Sequence, residues 1–192
     1  MKYIKQNASR LGINPNLIFV GGQSAGAITA LNTAYYDDFE DKDNLLKNIG
    51  GSLNANIGAT NKTDANQNTD IAGVFTLAGC ILNPNIIDNA KTPLLMMFGS
   101  CDELLHVNVG KVYKCDSKGT GGLTGYGPQY IYSKMASKVP TFWININKGG
   151  HGPGGWNYDN MVEWTSTFTY AVMNNQFKSG TATVNAVTPV CK

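Results

Sequence analysis

Short uninterrupted apolar runs recur along this sequence and alternate with stretches of helical character. The runs with the length and composition of buried strands cover residues 16–20, 71–77, 92–98 and 139–146. Helices are predicted over residues 25–31, 130–139 and 158–175, the last with apolar side chains near helical spacing. Strands that alternate with helices predict an α/β fold with a mostly parallel sheet flanked by helices.

The segment between the first strand and the first helix is Gly22-Gln23-Ser24-Ala25-Gly26, a G-x-S-x-G motif. A serine on a tight strand-to-helix turn has a strained backbone and needs neighbours without bulky Cβ groups. The helix that follows directs backbone N–H groups at the space beside the hydroxyl, where an oxyanion would form. This layout indicates a nucleophile elbow; the alternative is a tight turn that happens to contain serine.

A nucleophilic serine needs a base and an acid, and candidates follow two later strands. Of the two histidines, His151 lies in a glycine-rich loop after the fourth strand, whereas His106 is expected to be a surface or loop-packing residue. Asp102 follows the third strand within a few residues, and Glu103 is the competing acid. Because ligand sites in open α/β sheets form at the carboxyl ends of strands, Ser24, Asp102 and His151 are expected to converge.

The chain order serine, aspartate, histidine and the local motifs resemble the α/β-hydrolase superfamily from residue 1 to about residue 175. The likeness is greatest to serine esterases and lipases of the carboxylesterase, acetyl-esterase and feruloyl-esterase type, and to secreted bacterial relatives. Residues 3–16 look like the helix that leads into the nucleophile strand, and residues 22–26 are similar to the elbow. Residues 98–102 look like the acid loop and residues 149–152 like the histidine loop.

That resemblance implies a serine hydrolase that cleaves esters of small molecules or polysaccharides through an acyl-enzyme. Ser24 would be the nucleophile, His151 the general base and then acid, and Asp102 the residue that orients the imidazole. The backbone N–H of Ala25 would be one oxyanion donor. The resemblance implies neither a metal nor another cofactor.

The substrate itself is less defined by the sequence. Gln23 in the elbow and Trp156 beside the histidine loop are the side chains expected to contact it. A peptidase of the prolyl-oligopeptidase type shares the elbow, the chain order and the fold, although no pocket for an amine terminus can be identified. A non-catalytic protein with a hydrolase-like fold is the other alternative.

One departure from the hydrolase pattern lies at the start of the chain. Complete domains of that superfamily carry several strands before the elbow and a loop that supplies a second oxyanion N–H, but only about twenty residues precede Ser24. The expectation is a partial domain over residues 1–177, the C-terminal portion of the hydrolase fold, with a tail over 178–192. Its first strand would be an edge, open to a second copy or a companion chain, and its activity would be weak.

Composition limits the remaining functions. The 192 residues are 42% apolar, enough for one domain with its own core, and the net charge of +2 from scattered lysines gives no case for nucleic acid. No apolar run approaches the ~18 residues of a membrane span, and no signal peptide is visible. Residues 36–70 are predicted as a solvated loop or short helix rather than a calcium site, and residues 107–128 as a flexible glycine-rich insertion.

The four cysteines lack the spacing of a zinc site. A disulfide between Cys101 and Cys115 could hold the acid loop, and one between Cys80 and Cys191 is conceivable because Cys191 lies in the polar tail. Two disulfides would indicate an exported protein, either secreted or periplasmic. Buried free cysteines are the alternative.

Overall fold

A five-stranded sheet, in which each strand is parallel to its neighbours, forms the centre of the protein. The structure, a computed structural model, describes residues 2–36, 71–112 and 122–192. Its strands are β1 (Phe19–Gln23), β2 (Gly73–Leu77), β3 (Leu94–Gly99), β4 (Val109–Val112), β5 (Leu123–Tyr126), β6 (Thr141–Asn147) and β7 (Gly180–Asn185). The sheet has the order β1-β2-β3-β6-β7, and β4 and β5 form a separate antiparallel hairpin.

Helices cover both faces of the sheet. They are α1 (Lys2–Gln6), α2 (Ala8–Leu11), α3 (Ala25–Tyr35), α4 (Pro128–Met135) and α5 (Tyr158–Met173). Leu94 and Met96 of β3 belong to the apolar cluster that contains side chains of α3 and α4. The alternate residues Leu95 and Met97 belong to the cluster that contains side chains of α5. The whole of β3 is therefore buried, which explains its uninterrupted apolar sequence.

The predicted α/β fold is confirmed, and differences from the sequence prediction are mostly at the ends of elements. β1 begins at Phe19 rather than at residue 16 and continues into the elbow as far as Gln23. The helix predicted over residues 3–16 is instead the pair α1 and α2. Gly12, with φ of 67°, ends α2 in the left-handed conformation that glycine adopts without a steric cost.

Three strands were not predicted from the sequence. β4 and β5 lie in the segment predicted as a flexible insertion, and their paired glycines Gly110 and Gly125 weaken the sequence pattern of a strand. β7 lies in the segment predicted as a tail over residues 178–192. Its residues alternate between exposed and partly buried positions, as in a strand at the edge of a sheet.

Two of the sequence predictions fall on parts of the chain outside the described residues. The predicted loop or short helix over residues 36–70 lies there apart from its first residue, and Cys115 also lies there. Within the described ranges, no helix is long and apolar enough to cross a membrane.

The close approach of β1 to α3 depends on Gly22. A Cβ atom at this position would overlap the backbone of Gly26 and Ala27 in the first turn of α3. We expect Gly22→Ala to lower the free energy of unfolding by about 1–3 kcal/mol, because strand and helix would have to separate. The measurement is urea-induced unfolding followed by circular dichroism.

Gly26 provides the matched control for that substitution. A Cβ atom there has no neighbour within 4 Å, and the residue is part of α3. Gly26→Ala is therefore expected to leave the stability unchanged or to raise it by up to about 1 kcal/mol, because alanine favours the helix. Equal destabilisation by both substitutions would show that the spacing of β1 and α3 is not the cause.

Candidate active site

Ser24 lies on the turn between β1 and α3, with backbone angles φ of 53° and ψ of −120°. Its N–H donates to the carbonyl oxygen of Leu77 at the end of β2 (2.9 Å), and its own carbonyl accepts from the N–H of Ile28 (3.0 Å). A positive φ at a non-glycine residue costs about 1–3 kcal/mol, which these two bonds help to offset. The turn lifts the serine side chain out of the strand and sets Ala25 at the start of α3, where a backbone N–H has no partner within the helix.

Asp102 lies in the loop that follows β3. Its Oδ1 atom accepts hydrogen bonds from the backbone N–H groups of Leu104 and Leu105, both at 2.9 Å. Its Oδ2 atom is left for another donor, and the side chain is only 1% exposed. The loop therefore fixes the plane of the carboxyl group and determines which oxygen faces the site.

His151 lies in the glycine-rich loop after β6 and contacts both of the other side chains. Its Nδ1 is 2.8 Å from Asp102 Oδ2, and its Nε2 is 2.8 Å from Ser24 Oγ. With an ionised carboxylate at Asp102, Nδ1 carries the proton and donates it, so Nε2 is free to accept from the serine hydroxyl. The side chain is 12% exposed, so a small part of it is accessible to solvent.

The acid loop and the histidine loop are bound directly to each other. The N–H of Ser100 donates to the carbonyl of Ile146 (2.9 Å), and the N–H of Cys101 donates to the carbonyl of Gly149 (2.8 Å). In the reverse direction, the N–H of Lys148 donates to Ser100 Oγ (2.8 Å). Ser100 was not singled out in the sequence, because its role depends on a contact between two strands distant in the chain.

A disulfide joins Cys101 to Cys191, and the sequence interpretation of the cysteines is corrected on this point. Cys101 was considered as a partner of Cys115, and Cys191 as a partner of Cys80. Neither pairing forms, because Cys101 and Cys191 are bonded to each other, and Cys80 is a free, buried thiol. The spacing favoured a bond between cysteines close in sequence, whereas β7 brings Cys191 back to the acid loop.

The other candidate side chains differ in how exposed they are and in what they pack against. Gln23 is exposed, and its amide nitrogen lies so close to Gly152 that a Cβ atom on that glycine would overlap it. Gly152 directly follows His151, so Gln23 lies next to the histidine loop. Trp156 is only 5% exposed and packs in the core cluster beneath the histidine loop, so its expected contact with substrate stays a prediction. Glu103 and His106 are exposed, and the ring of His106 packs over Gly110.

A cleft of about 380 Å³ lies between the sheet and α5 and includes residues next to the cluster. Gln23 and Pro153 connect it to the elbow and to the histidine loop. The remaining lining residues are Leu77, Tyr158, Met161, Val162, Thr165 and Ser166. The cleft is thus bounded by apolar groups with a few hydroxyls and one amide. Within the described residues, no group of three His, Cys, Asp or Glu side chains could hold a metal ion.

Comparison with known proteins gives a likeness of fold. No family model matches the sequence, and no curated protein matches it. A solved structure described as a truncated form of a carbohydrate esterase from gut microbiota is similar, with a TM-score of 0.56 and 14% sequence identity. The similarity covers 90% of this chain and 65% of that structure's chain. At this identity, the likeness shows a shared α/β arrangement of sheet and helices.

Proposed function

We propose that this protein is a serine hydrolase that cleaves carboxylic esters. The observation that carries the proposal is the unbroken hydrogen-bonded series from Ser24 Oγ through the His151 imidazole to Asp102, with both contacts at 2.8 Å. A serine, a histidine and a buried carboxylate in this order are the groups that acyl transfer requires. The similarity in fold to a carbohydrate esterase supports the same conclusion.

In the acylation step, Ser24 Oγ attacks the carbonyl carbon of the ester while His151 Nε2 takes the hydroxyl proton. The negative charge that forms on the carbonyl oxygen is stabilised by the N–H of Ala25 at the start of α3. His151 then gives the proton to the departing alcohol, and the acyl group remains on Ser24. Asp102 stabilises the imidazolium that forms in between.

In the deacylation step, water takes the place of the alcohol. His151 Nε2 accepts a proton from that water, whose oxygen attacks the acyl carbon, and then returns the proton to Ser24 Oγ. The carboxylic acid is released and the enzyme is regenerated. The partial solvent exposure of His151 supports the access of water to this site.

We propose that the cleft beside α5 receives one side of the substrate. Gln23 is the residue that links it to Ser24, and its amide can donate to or accept from a polar group of the ester. The apolar lining suits an acyl chain or ring. The neighbour described as a carbohydrate esterase supports a polysaccharide-linked ester as the class of substrate.

The experiment that tests the proposal compares two chromogenic substrates. We expect hydrolysis of p-nitrophenyl acetate and no cleavage of an aminoacyl p-nitroanilide. Cleavage of the anilide alone would indicate a peptidase of the prolyl-oligopeptidase type. Cleavage of neither would favour a non-catalytic protein with a hydrolase-like fold.

We propose that the open edge of β1 pairs with a strand of a second copy or of a companion chain. Within the described residues β1 pairs only with β2. The N–H of Ser24 and the carbonyl of Ile18 form hydrogen bonds on the side of β2. Backbone groups of successive strand residues point to alternate sides, so the N–H and C=O of Gly21 point to the open edge. Each unpaired backbone group costs about 1–3 kcal/mol if it is not hydrated.

Sedimentation equilibrium of the 192-residue chain tests that pairing. The expected result is a dimer, or a monomer of low stability that is stabilised by a companion chain. A stable monomer with ordinary esterase turnover would contradict it, and would mean that a second oxyanion donor comes from within this chain.

We also propose that the protein acts outside the cytoplasm, in a secreted or periplasmic form. The Cys101–Cys191 disulfide supports this, because such bonds persist mainly in oxidising compartments.

A further inference from the structure

Residues 186–191, which follow β7, lie across the loop that carries His151; we name them the C-terminal strap. The strap donates backbone hydrogen bonds to carbonyl groups on both sides of the histidine. These run from Ala186 to Asn147 (2.9 Å), from Val187 and Thr188 to Gly155 (2.9 and 3.1 Å), and from Val190 to Lys148 (2.9 Å). The strap therefore closes over the loop on which the imidazole is carried.

Glycines in the histidine loop and in the turn that follows it allow this close contact. A Cβ atom on Gly155 would meet the carbonyl oxygen of Thr188, and one on Gly150 would meet the methyl groups of Val190. Gly150 directly precedes His151 in the chain. The strap is thus packed against the backbone that sets the position of the imidazole.

The far end of the strap is joined covalently to the acid loop. Cys191 forms its disulfide with Cys101, the residue before Asp102. Cys101 also donates its N–H to Gly149 in the histidine loop (2.8 Å). Acid loop, histidine loop and strap therefore form a closed ring of contacts, and the Asp102–His151 hydrogen bond is one of its members.

Apart from the disulfide, little apolar packing holds the strap. Val187 is 66% exposed and Val190 is 57% exposed, whereas Ala186 is buried. Segments with few buried contacts open locally at a small free-energy cost unless other bonds hold them. Besides the hydrogen bond from Val190 to Lys148, the disulfide next to Val190 is therefore the main restraint on this end of the strap.

We infer that Cys101 and Cys191 are positioning residues, whose disulfide uses the strap to hold His151 in line between Asp102 and Ser24. The inference rests on the proposed function. A catalytic group displaced by about 1 Å can lose up to about 100-fold in rate, because the reacting atoms are no longer aligned. The bond therefore supports turnover rather than substrate binding.

The test compares the wild-type chain with Cys101→Ser/Cys191→Ser, at a temperature where circular dichroism shows both folded. We expect kcat for p-nitrophenyl acetate to fall about 10- to 100-fold while KM changes less than about threefold. Dithiothreitol, which supplies the two electrons that split the bond, should lower wild-type kcat similarly and leave the double variant unaffected. Val187→Thr, an exposed change in the same strap, is the control and should retain wild-type kcat.

Cys80 does not complicate this comparison. Burial, with a further contribution from the negative charge of Asp102, raises the pKa of its thiol to about 12. At the pH of the assay it is an uncharged thiol, and thiols react in exchange as thiolates.

Two further measurements separate this inference from the proposed function. Labelling of Ser24 by a fluorophosphonate should slow in the double variant in parallel with kcat, and the backbone amides of Lys148 and Val190, which are the same residues in both chains, should exchange with deuterium faster. Equal kcat, or amide exchange unchanged at these residues, overturns the inference even if the double variant melts at a lower temperature. A wild-type chain that neither hydrolyses esters nor is labelled contradicts the proposed function, and amide exchange then decides the role of the strap.

Discussion

Ser24→Ala is expected to lower kcat/KM for p-nitrophenyl acetate by about 10⁴- to 10⁶-fold and to abolish labelling by a fluorophosphonate. The hydroxyl is the proposed nucleophile that forms the acyl-enzyme, and its Oγ lies 2.8 Å from Nε2 of His151, the proposed base. Alanine keeps a Cβ atom on the same turn, so the fold should be preserved. The assay follows p-nitrophenolate release, with labelling detected on a gel.

Ser133→Ala is the matched control for that substitution. Ser133 is an exposed serine of α4, and its Oγ donates to the carbonyl of Tyr130 within the same helix. It should hydrolyse and label as the wild type does. Labelling that survives in Ser24→Ala would place the nucleophile elsewhere in the chain.

Much of the fold could be predicted because the inner strands of the central sheet, β2, β3 and β6, are largely buried. Such strands have continuous apolar sequences, and β3 is buried at each of its positions. β7 was missed because an edge strand of alternating threonine and small apolar residues resembles a polar tail. The hairpin of β4 and β5 was missed because glycines lie at its centre.

The candidate site could likewise be predicted where it depends on nearby residues in the sequence, and not where it depends on contacts between distant ones. Ser24, Asp102 and His151 each follow the end of a strand, and parallel strands end at one edge of a sheet. Spacing along the chain could not show that Cys191 returns to Cys101, since the bond joins residues 90 positions apart. Trp156 follows the histidine loop in sequence and is buried in the cluster that contains side chains of α5, and its contact with substrate stays a prediction.

Asp102→Asn is expected to lower kcat by about 10⁴-fold with little change in stability. Oδ1 of Asp102 accepts from the N–H groups of Leu104 and Leu105, so the amide oxygen of asparagine will occupy that position. Its NH₂ group then faces His151 Nδ1 and can only donate to it. The proton of the imidazole is forced onto Nε2, which can no longer accept the proton of Ser24. Steady-state kinetics on p-nitrophenyl acetate measure this effect.

Glu103→Gln is the control, because it removes the neighbouring carboxylate while leaving the bonds of Asp102 in place. Glu103 is exposed, and the carboxyl oxygen within hydrogen-bond distance of His151 belongs to Asp102. Its kcat should stay within about twofold of the wild type, because the hydrogen bond between Asp102 and His151 does not depend on Glu103. If Glu103→Gln instead loses as much activity as expected of Asp102→Asn, and Asp102→Asn retains more than about a tenth, Glu103 is the catalytic acid. The histidine loop would then have to move during turnover so that Nδ1 meets Glu103, because in this structure Nδ1 is held by Asp102 Oδ2 at 2.8 Å.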